Sequence, residues 1–432
     1  MKKTTSLLFL ITLSSSTPAD TLKEVIQRTL ETNPDVLITT QLRHAADQQL
    51  KQANAGYWPT IELTGSYGRE KSDNPTTPEA TLNRQEMGIT LSQMLFDGFY
   101  VKNNVERQNA LVNSAAHKVK NSSENIALIT ADVYLEILRR QQLLELSKDN
   151  VVVHQKILEQ IRTLIEGGAG RQADLQQSAS RLALAKSSLV NAQGNLRNAE
   201  INYRRVTGEL PQALIKPLIT PFQAALPETA EVALDTALSN HSSLQVANAD
   251  LQAAQAAHQR AKSAFMPNFN LELSLTDNQN LDGIEGDNDD INAMLKMRYN
   301  LYRGGADQAR LQEAVERIGA AKEEIRRVQR VIEEETLLAW NSLITLRARI
   351  HHLEEHVEST KQVLKAYQEQ FKLGQRSLLD VLDSENELFN ARASLASAQY
   401  SEILSTLKVL NSIGLLLTTI DVTPPPEIQS NS

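Results

Sequence analysis

Two stretches of this chain run for about sixty-six residues each with almost nothing that breaks a helix. From Val101 to Glu166 there is neither proline nor glycine, and from Ala306 to Leu373 only Gly319 intervenes. At 1.5 Å of rise per residue each stretch makes a rod of about 100 Å, far beyond the usual helix of a compact domain. Such a rod persists only if its apolar stripe is buried on other helices. The stripes are present. Ile137, Leu144, Val151, Leu158 and Ile165 recur every seven residues in the first rod. Ala339, Leu343, Leu346, Ile350, Leu353, Val357, Leu364, Tyr367 and Phe371 follow the alternating three-and-four spacing of a coiled-coil seam in the second. Shorter partners are also visible. Asp35–Tyr57 with Gln172–Val206, and Ser243–Met266 with Ser377–Leu410, predict two helices stacked end to end along each rod. Glycines at Gly167, Gly168 and Gly170, and at Gly374, mark the far ends.

The chain is a duplicated unit. Asn33-Pro34 answers Asn240-His241, Trp58-Pro59 answers Met266-Pro267, and Leu95–Gly98 answers Leu301–Gly304. Gly170–Asp174 answers Gly374–Leu378, so the offset stays at about 206 residues throughout. Each copy reads helix, strand, strand, very long helix, helix. The expected divisions are a signal peptide over 1–19, a first repeat over 20–208, a linking segment over 209–230, a second repeat over 231–417 and a disordered tail over 418–432. The signal peptide is read from Lys2 and Lys3, the short apolar run Leu7–Leu13 and the small residues before Asp20.

The short elements alternate apolar and polar residues. Ile61, Leu63, Gly65 and Tyr67 alternate with Thr60, Glu62, Thr64 and Ser66, and the same period recurs in Glu86–Leu95, Asn268–Thr276 and Ile291–Leu301. This is the signature of strands with one apolar and one polar face, predicted at about 60–70, 86–95, 268–276 and 291–301. Each is close to the length of a tilted membrane strand. Tyr57, Trp58, Phe96, Phe99, Phe265, Tyr299 and Tyr302 gather at the strand ends, as an interfacial girdle would. No segment offers the uninterrupted apolar run of a membrane helix.

Four membrane strands cannot close a barrel, and an open edge in lipid leaves backbone groups unpaired. The strands of several chains must combine. Two chains would give about eight strands and a filled interior; three give about twelve and room for a passage. The fold class expected is therefore an α+β membrane protein whose four strands per chain join a trimeric 12-stranded barrel, continued by long helices.

Composition excludes several other classes. Lys and Arg total 44 against 52 Asp and Glu, a net charge of −8, which argues against a nucleic-acid partner. There is no cysteine, so disulfides, thiolate metal sites, thiol catalysis and lipoprotein acylation are all absent. No phosphate-binding loop, dinucleotide fingerprint or nucleophile elbow occurs. No catalytic residue, metal or cofactor is expected, and energy must come from a partner.

Taken together, Asn33-Pro34, Pro59, Pro267, Leu95–Phe99 and above all Gly374-Gln375-Arg376-Ser377-Leu378-Leu379-Asp380-Val381-Leu382-Asp383 resemble the TolC family of outer-membrane efflux and secretion proteins. The last run is similar to that family's Gly-x-Arg-x-x-x-Asp-Val-Leu-Asp segment. The resemblance covers about Asp20 to Leu417. It implies a homotrimer in the Gram-negative outer membrane, extending into the periplasm and contacting outer-membrane lipid. It implies docking to a periplasmic adaptor and, through it, to an inner-membrane ABC transporter or proton-driven pump. It also implies acidic constricting rings at Asp380 and Asp383, with Arg376 and its acidic partner Asp174 holding the closed state. Phe371 stands where well-studied members carry a tyrosine, so no hydroxyl link to Asp174 is expected there. Independently, Asp380 and Asp383 lie three residues apart on one helix face, and three copies crowd their carboxylates around one axis. The bland alternative is an ordinary acidic first turn of a helix.

Other patterns carry less. His352-Leu353-Glu354-Glu355-His356 fits a metalloprotease spacing, but Leu353 lies on the seam and sets the flanking groups on the helix surface. Asp282, Glu285, Asp287, Asp289 and Asp290 read as a solvated loop without the spacing of a calcium hand. The lack of a lipoprotein cysteine leans toward type I secretion relatives over drug efflux. A competing function is a periplasmic coiled-coil adaptor or scaffold without its own channel, which has no need of four lipid-facing strands.

Overall fold

The computed structural model describes residues 20–75, 77–168 and 170–429; the expected signal peptide lies outside them. The first repeat holds α1 (Leu22–Thr32), α2 (Pro34–Ala55), β1 (Thr60–Asn74), β2 (Thr77–Phe96), α3 (Tyr100–Glu166) and α4 (Gln172–Thr207). A short α5 (Thr220–Ala224) leads to the second repeat, α6 (Ala230–Asn240), α7 (Ser242–Ala261), β3 (Asn268–Gln279), β4 (Asp287–Arg298), α8 (Ala306–Lys372) and α9 (Leu378–Ser412), followed by α10 (Leu416–Ile420). Among the described residues no helix is long and apolar enough to cross a membrane.

The Asn-Pro pair works as a break between helices. The Asn33 amide donates to the Val206 carbonyl at 2.9 Å, while its side-chain oxygen accepts the Asp35 N–H at 2.9 Å. Pro34 then opens α2, where its missing N–H costs nothing. At the other end of α1, Thr21 and Glu24 form a reciprocal capping box.

The two rods, α3 and α8, are 67 residues each. In α8 the expected seam holds, with Leu343, Ile350 and Leu364 buried and Thr360 filling the intervening step. In α3 the deepest line differs from the apolar heptad. Ile137 is fully buried as expected, but Leu144, Val151, Leu158 and Ile165 are only half-buried, and over that length the buried line is Ser147, His154 and Ile161. The seven-residue period holds, and beyond Ile137 its phase is shifted, because two of the deepest positions are polar.

The four strands form one antiparallel sheet in the order β1-β2-β3-β4. The register builds continuous rows. Leu63, Ile89, Leu275 and Ile291 lie side by side across all four strands, and Ile61, Leu91, Leu273 and Ala293 form the next row on that face. The opposite face carries Glu62, Thr90, Ser274 and Asn292 in one such row. The apolar rows face outward from the chain, Ile291 being 83% exposed. β1 and β2 run farther than the alternation suggested, through Asn74 and from Thr77, where polar cross-strand pairs such as Arg84 with Glu70 at 3.2 Å take over. Among the described residues β1 pairs only with β2, and β4 only with β3, so both outer edges present unpaired backbone.

Contacts divide the chain into two units. One, drawn from Met1–Val36, Ser123–Ala237 and Glu335–Pro424, contains α1, α4, α5, α9, α10 and parts of both rods. Within it the buried Tyr134 hydroxyl sits between the carbonyls of Asp20 (2.9 Å) and Ile215 (2.5 Å) and accepts the Ile215 N–H at 3.0 Å. Burial, the largest influence, pushes this phenol up to about 12. Arg28 grips Asp20 through two nitrogens at 3.1 and 2.7 Å. The expected disorder of 418–432 does not hold through Gln429. Leu416, Leu417, Ile420 and Val422 are buried, Asp421 pairs with Lys23, and the Thr423 N–H donates to Gln27 at 2.9 Å. The three prolines suggest loose chain, but α10 just before them packs against α9 and α5, while Asp421 and Thr423 bond to α1. The other unit, drawn from Leu37–Ser122, Leu238–Glu334 and Pro425–Ser432, contains the sheet, α2, α7 and the remaining lengths of the rods.

Candidate functional site

The site is the turn between α8 and α9 with the facing start of α4. α8 ends at a Schellman motif: the Gln375 N–H reaches the Gln370 carbonyl at 2.9 Å and the Gly374 N–H reaches that of Phe371 at 2.9 Å. Gly374 has φ +72, a conformation that strains any side chain. Ser377 then caps α9 in a reciprocal box with Asp380. This places Asp380 at the third helical position, with its carboxylate accepting from the Ser377 N–H (3.3 Å) and hydroxyl (2.8 Å).

Beneath the turn two apolar clusters hold α9 in place. Leu378 and Leu382 pack with Ile161, Ile157, Ile165 and Leu175, and Val381 and Leu388 pack with Leu364, Val357 and Tyr367. Phe371 touches both clusters. The position that could have carried a hydroxyl link is thus an apolar wedge between α3, α8 and α9.

The predicted polar residues separate into different roles. Asp383, 56% exposed at its side chain, forms an ion pair with Arg181 of α4 at 2.6 Å. Asp380 serves the cap and lies 3.8 Å from Arg376. Arg376 also bonds to Gln370 at 3.2 Å and stacks on Tyr367, 4.1 Å from the ring centre. Asp174 lies in the first turn of α4, and no ion pair joins it to Arg376 within the chain among the described residues. Arg181 was not anticipated. A lone arginine on a helix surface carries no local signal, yet 202 residues separate it from Asp383, close to the repeat offset. The duplication therefore brings matching positions of α4 and α9 together, and that spacing was the available clue.

A histidine lies close to this pair. His154 of α3 is buried, and its Nδ1 finds no hydrogen-bond partner among the described residues. Burial first, and then the Arg181 charge, hold its pKa below the ordinary imidazole range. Burial likewise pushes Glu385 of α9 up, opposed by its bond from Gln368 at 2.9 Å. The residues of the metalloprotease-like spacing stand apart. His352 bonds to its neighbour Glu355 at 3.1 Å, His356 lies exposed near Thr360, and no cluster among the described residues has metal-holding geometry. The acidic loop shows Asp282 against Arg84 at 3.4 Å.

The family model described as outer membrane efflux protein matches residues 25–209 and 233–414, one segment for each repeat. The chain belongs to the outer membrane efflux protein family. The outer membrane efflux protein BepC of Brucella suis is 26% identical over 371 residues, covering 85% of this chain and 79% of that protein. The outer membrane protein TolC of Vibrio cholerae is 25% identical over 412 residues, covering 94% and 93%. Among solved structures, CusC superposes with a TM-score of 0.80 at 20% identity, over 93% of this chain and 92% of that one, a likeness of fold. The chain is accordingly an outer-membrane channel component for export and not an enzyme. Proteins of this family work as trimers within tripartite systems, so partnership with periplasmic and inner-membrane components follows in general terms. The reading as a periplasmic scaffold without its own channel is set aside by this match, which includes the sheet.

Proposed function

We propose that the facing starts of α4 and α9 form the gate of this export channel. Asp380 and Asp383 line its constriction as acidic rings, three copies of each about one axis. Arg181 holds α9 against α4 in the closed state. Arg376 and Asp174, which do not meet within one chain, link neighbouring protomers. The observation that carries this reading is the Arg181–Asp383 ion pair at 2.6 Å, which ties the two helices at the position of the acidic residues. Crowded carboxylates attract cations and repel anions, so the closed or narrow state favours cations. The wider assignment is a conduit fed through a periplasmic adaptor by an inner-membrane ABC transporter or proton-driven pump. Relatives named for protease secretion, PrtF of Dickeya chrysanthemi, and for efflux, BepC, support both kinds of cargo, and the lack of cysteine leans toward the secretion type.

The test is planar-bilayer recording of the trimer purified from outer membranes. Asp380→Ala with Asp383→Ala is expected to weaken cation selectivity and divalent-cation block. Selectivity and block equal to the unaltered channel would remove the acidic rings from the gate.

A further inference from the structure

Where the sheet meets the helices, two loops are pressed together. Gly98 has φ +69, and a Cβ there would stand 2.8 Å from the Met266 Cβ and 2.9 Å from the Ser263 carbonyl oxygen. Phe96 and Phe99 meet edge to face at 5.4 Å. Phe99, Tyr100 and Phe265 are all about half exposed here, in the belt expected at the membrane boundary.

Just beyond this belt, α3 and α7 each carry an arginine. Helical side chains lean toward the helix N-terminus. α3 starts at the belt, so Arg107 leans toward the membrane; α7 runs toward the belt, so Arg260 leans away from it. The two therefore converge. The Arg260 guanidinium bonds to Asn104 at 2.9 Å and lies 5.5 Å from the Tyr100 ring centre. Arg107 is half-buried, and burial together with the Arg260 charge holds its pKa below the usual guanidinium range. Neither guanidinium has a carboxylate partner among the described residues. The acids of this stretch are engaged elsewhere: Asp97 accepts the N–H groups of Tyr100 (3.0 Å) and Val101 (2.7 Å), and Glu106 lies 4.0 Å from Lys102.

Two like charges half-removed from water and unopposed call for an anion between them. Depth selects which anion. Arg107 lies about 10 Å along α3 from Tyr100, and an arginine stem reaching back about 6 Å brings its head near the phosphate level of the bilayer. We propose that Arg107 and Arg260 together bind the phosphate of an anionic phospholipid in the periplasmic leaflet, with the exposed aromatics beside them covering its glycerol and upper acyl chain.

The experiment uses the delipidated full-length trimer in detergent, offered phosphatidylglycerol, phosphatidylcholine or inorganic phosphate, with retained lipid read by native mass spectrometry and stability by thermal melting. Phosphatidylglycerol is expected to be retained and to raise the melting temperature; phosphatidylcholine and inorganic phosphate are not. Arg107→Gln and Arg260→Gln should each lower phosphatidylglycerol retention about fivefold, while Arg107→Lys keeps most of it. Conductance and trimer yield in these variants should match the unaltered channel, which separates this site from the gate. Equal retention of both lipids, equal retention by the variants, or a melting shift with inorganic phosphate alone would overturn the proposal. Dissociation of Arg107→Gln trimers in lipid-free detergent would overturn it too, by assigning the arginines to a neighbouring protomer's carboxylate.

Discussion

Arg181 and Asp383 are the pair whose removal should be felt most directly. Their side chains are 30% and 56% exposed, so solvent screening holds the contact to at most about 1 kcal/mol per protomer. Three copies act on one passage, and Arg181→Gln is expected to raise the frequency of wide openings several-fold in bilayer recordings. Arg181→Gln combined with Asp383→Asn should be no more open than the more open of the two single variants; strict additivity would show that the side chains act independently. His154 adds a dependence on pH. It is held below the ordinary imidazole value by burial and by Arg181, and His117 and His241 are held down by burial and by Lys120. In the unfolded chain each takes a proton near pH 6.5. Between that value and the lower native one, the unfolded state binds more protons, so stability is full above about pH 6.5 and falls as pH drops through the window. Melting of the trimer at pH 7 and pH 5 should therefore differ, and the difference should shrink in His154→Gln. Neither Arg181 nor His154 carried a signal of its own in the sequence. Arg181 needed a partner 202 residues away, and His154 hid in a seam recognisable only by its apolar members.

Individual elements were easier to foresee, because their signals are periodic and local. The strands showed themselves through strict alternation, which follows from one face meeting lipid and the other water. Their extensions at 70–74 and 77–85 carry few apolar residues, Ala80 and Leu82 among them, which erases the period while the strand pairing continues past an irregularity between Ser72 and Asn74. The apolar row Leu63, Ile89, Leu275 and Ile291 gives a direct check. Ile89→Arg should destabilise the inserted barrel by about 2–4 kcal/mol and reduce its yield in outer membranes. Thr90→Arg, one residue along and on the opposite face, should be inserted nearly as well as the unaltered chain. In the turn before α9, Ser377→Ala removes the hydroxyl that accepts the Asp380 N–H and donates to the Asp380 carboxylate, a loss of about 1 kcal/mol at the start of α9. Faster amide exchange confined to the first turn of α9 is the expected readout; unchanged exchange there would show that packing alone fixes the turn.

For the whole molecule, the duplication was the most informative feature. Each repeat could be read as helix, strand, strand, rod, helix, and the family match falls on the two repeats separately. The tail was misjudged because proline runs report on backbone freedom and say nothing of a neighbouring surface. α10 and Val422 bury apolar groups in a folded neighbourhood where α10 meets α9 and α5. Among the described residues both outer strands of the sheet are left without a second neighbour, and this bears on how the channel comes to exist. One chain carries two sticky margins through the periplasm, and joining two chains hides one pair while leaving another pair bare. Only the third arrival leaves no margin exposed. Half-built complexes therefore gain little, assembly should rise steeply with chain concentration, and a shortage of chains should feed aggregation and proteolysis before it yields narrower pores.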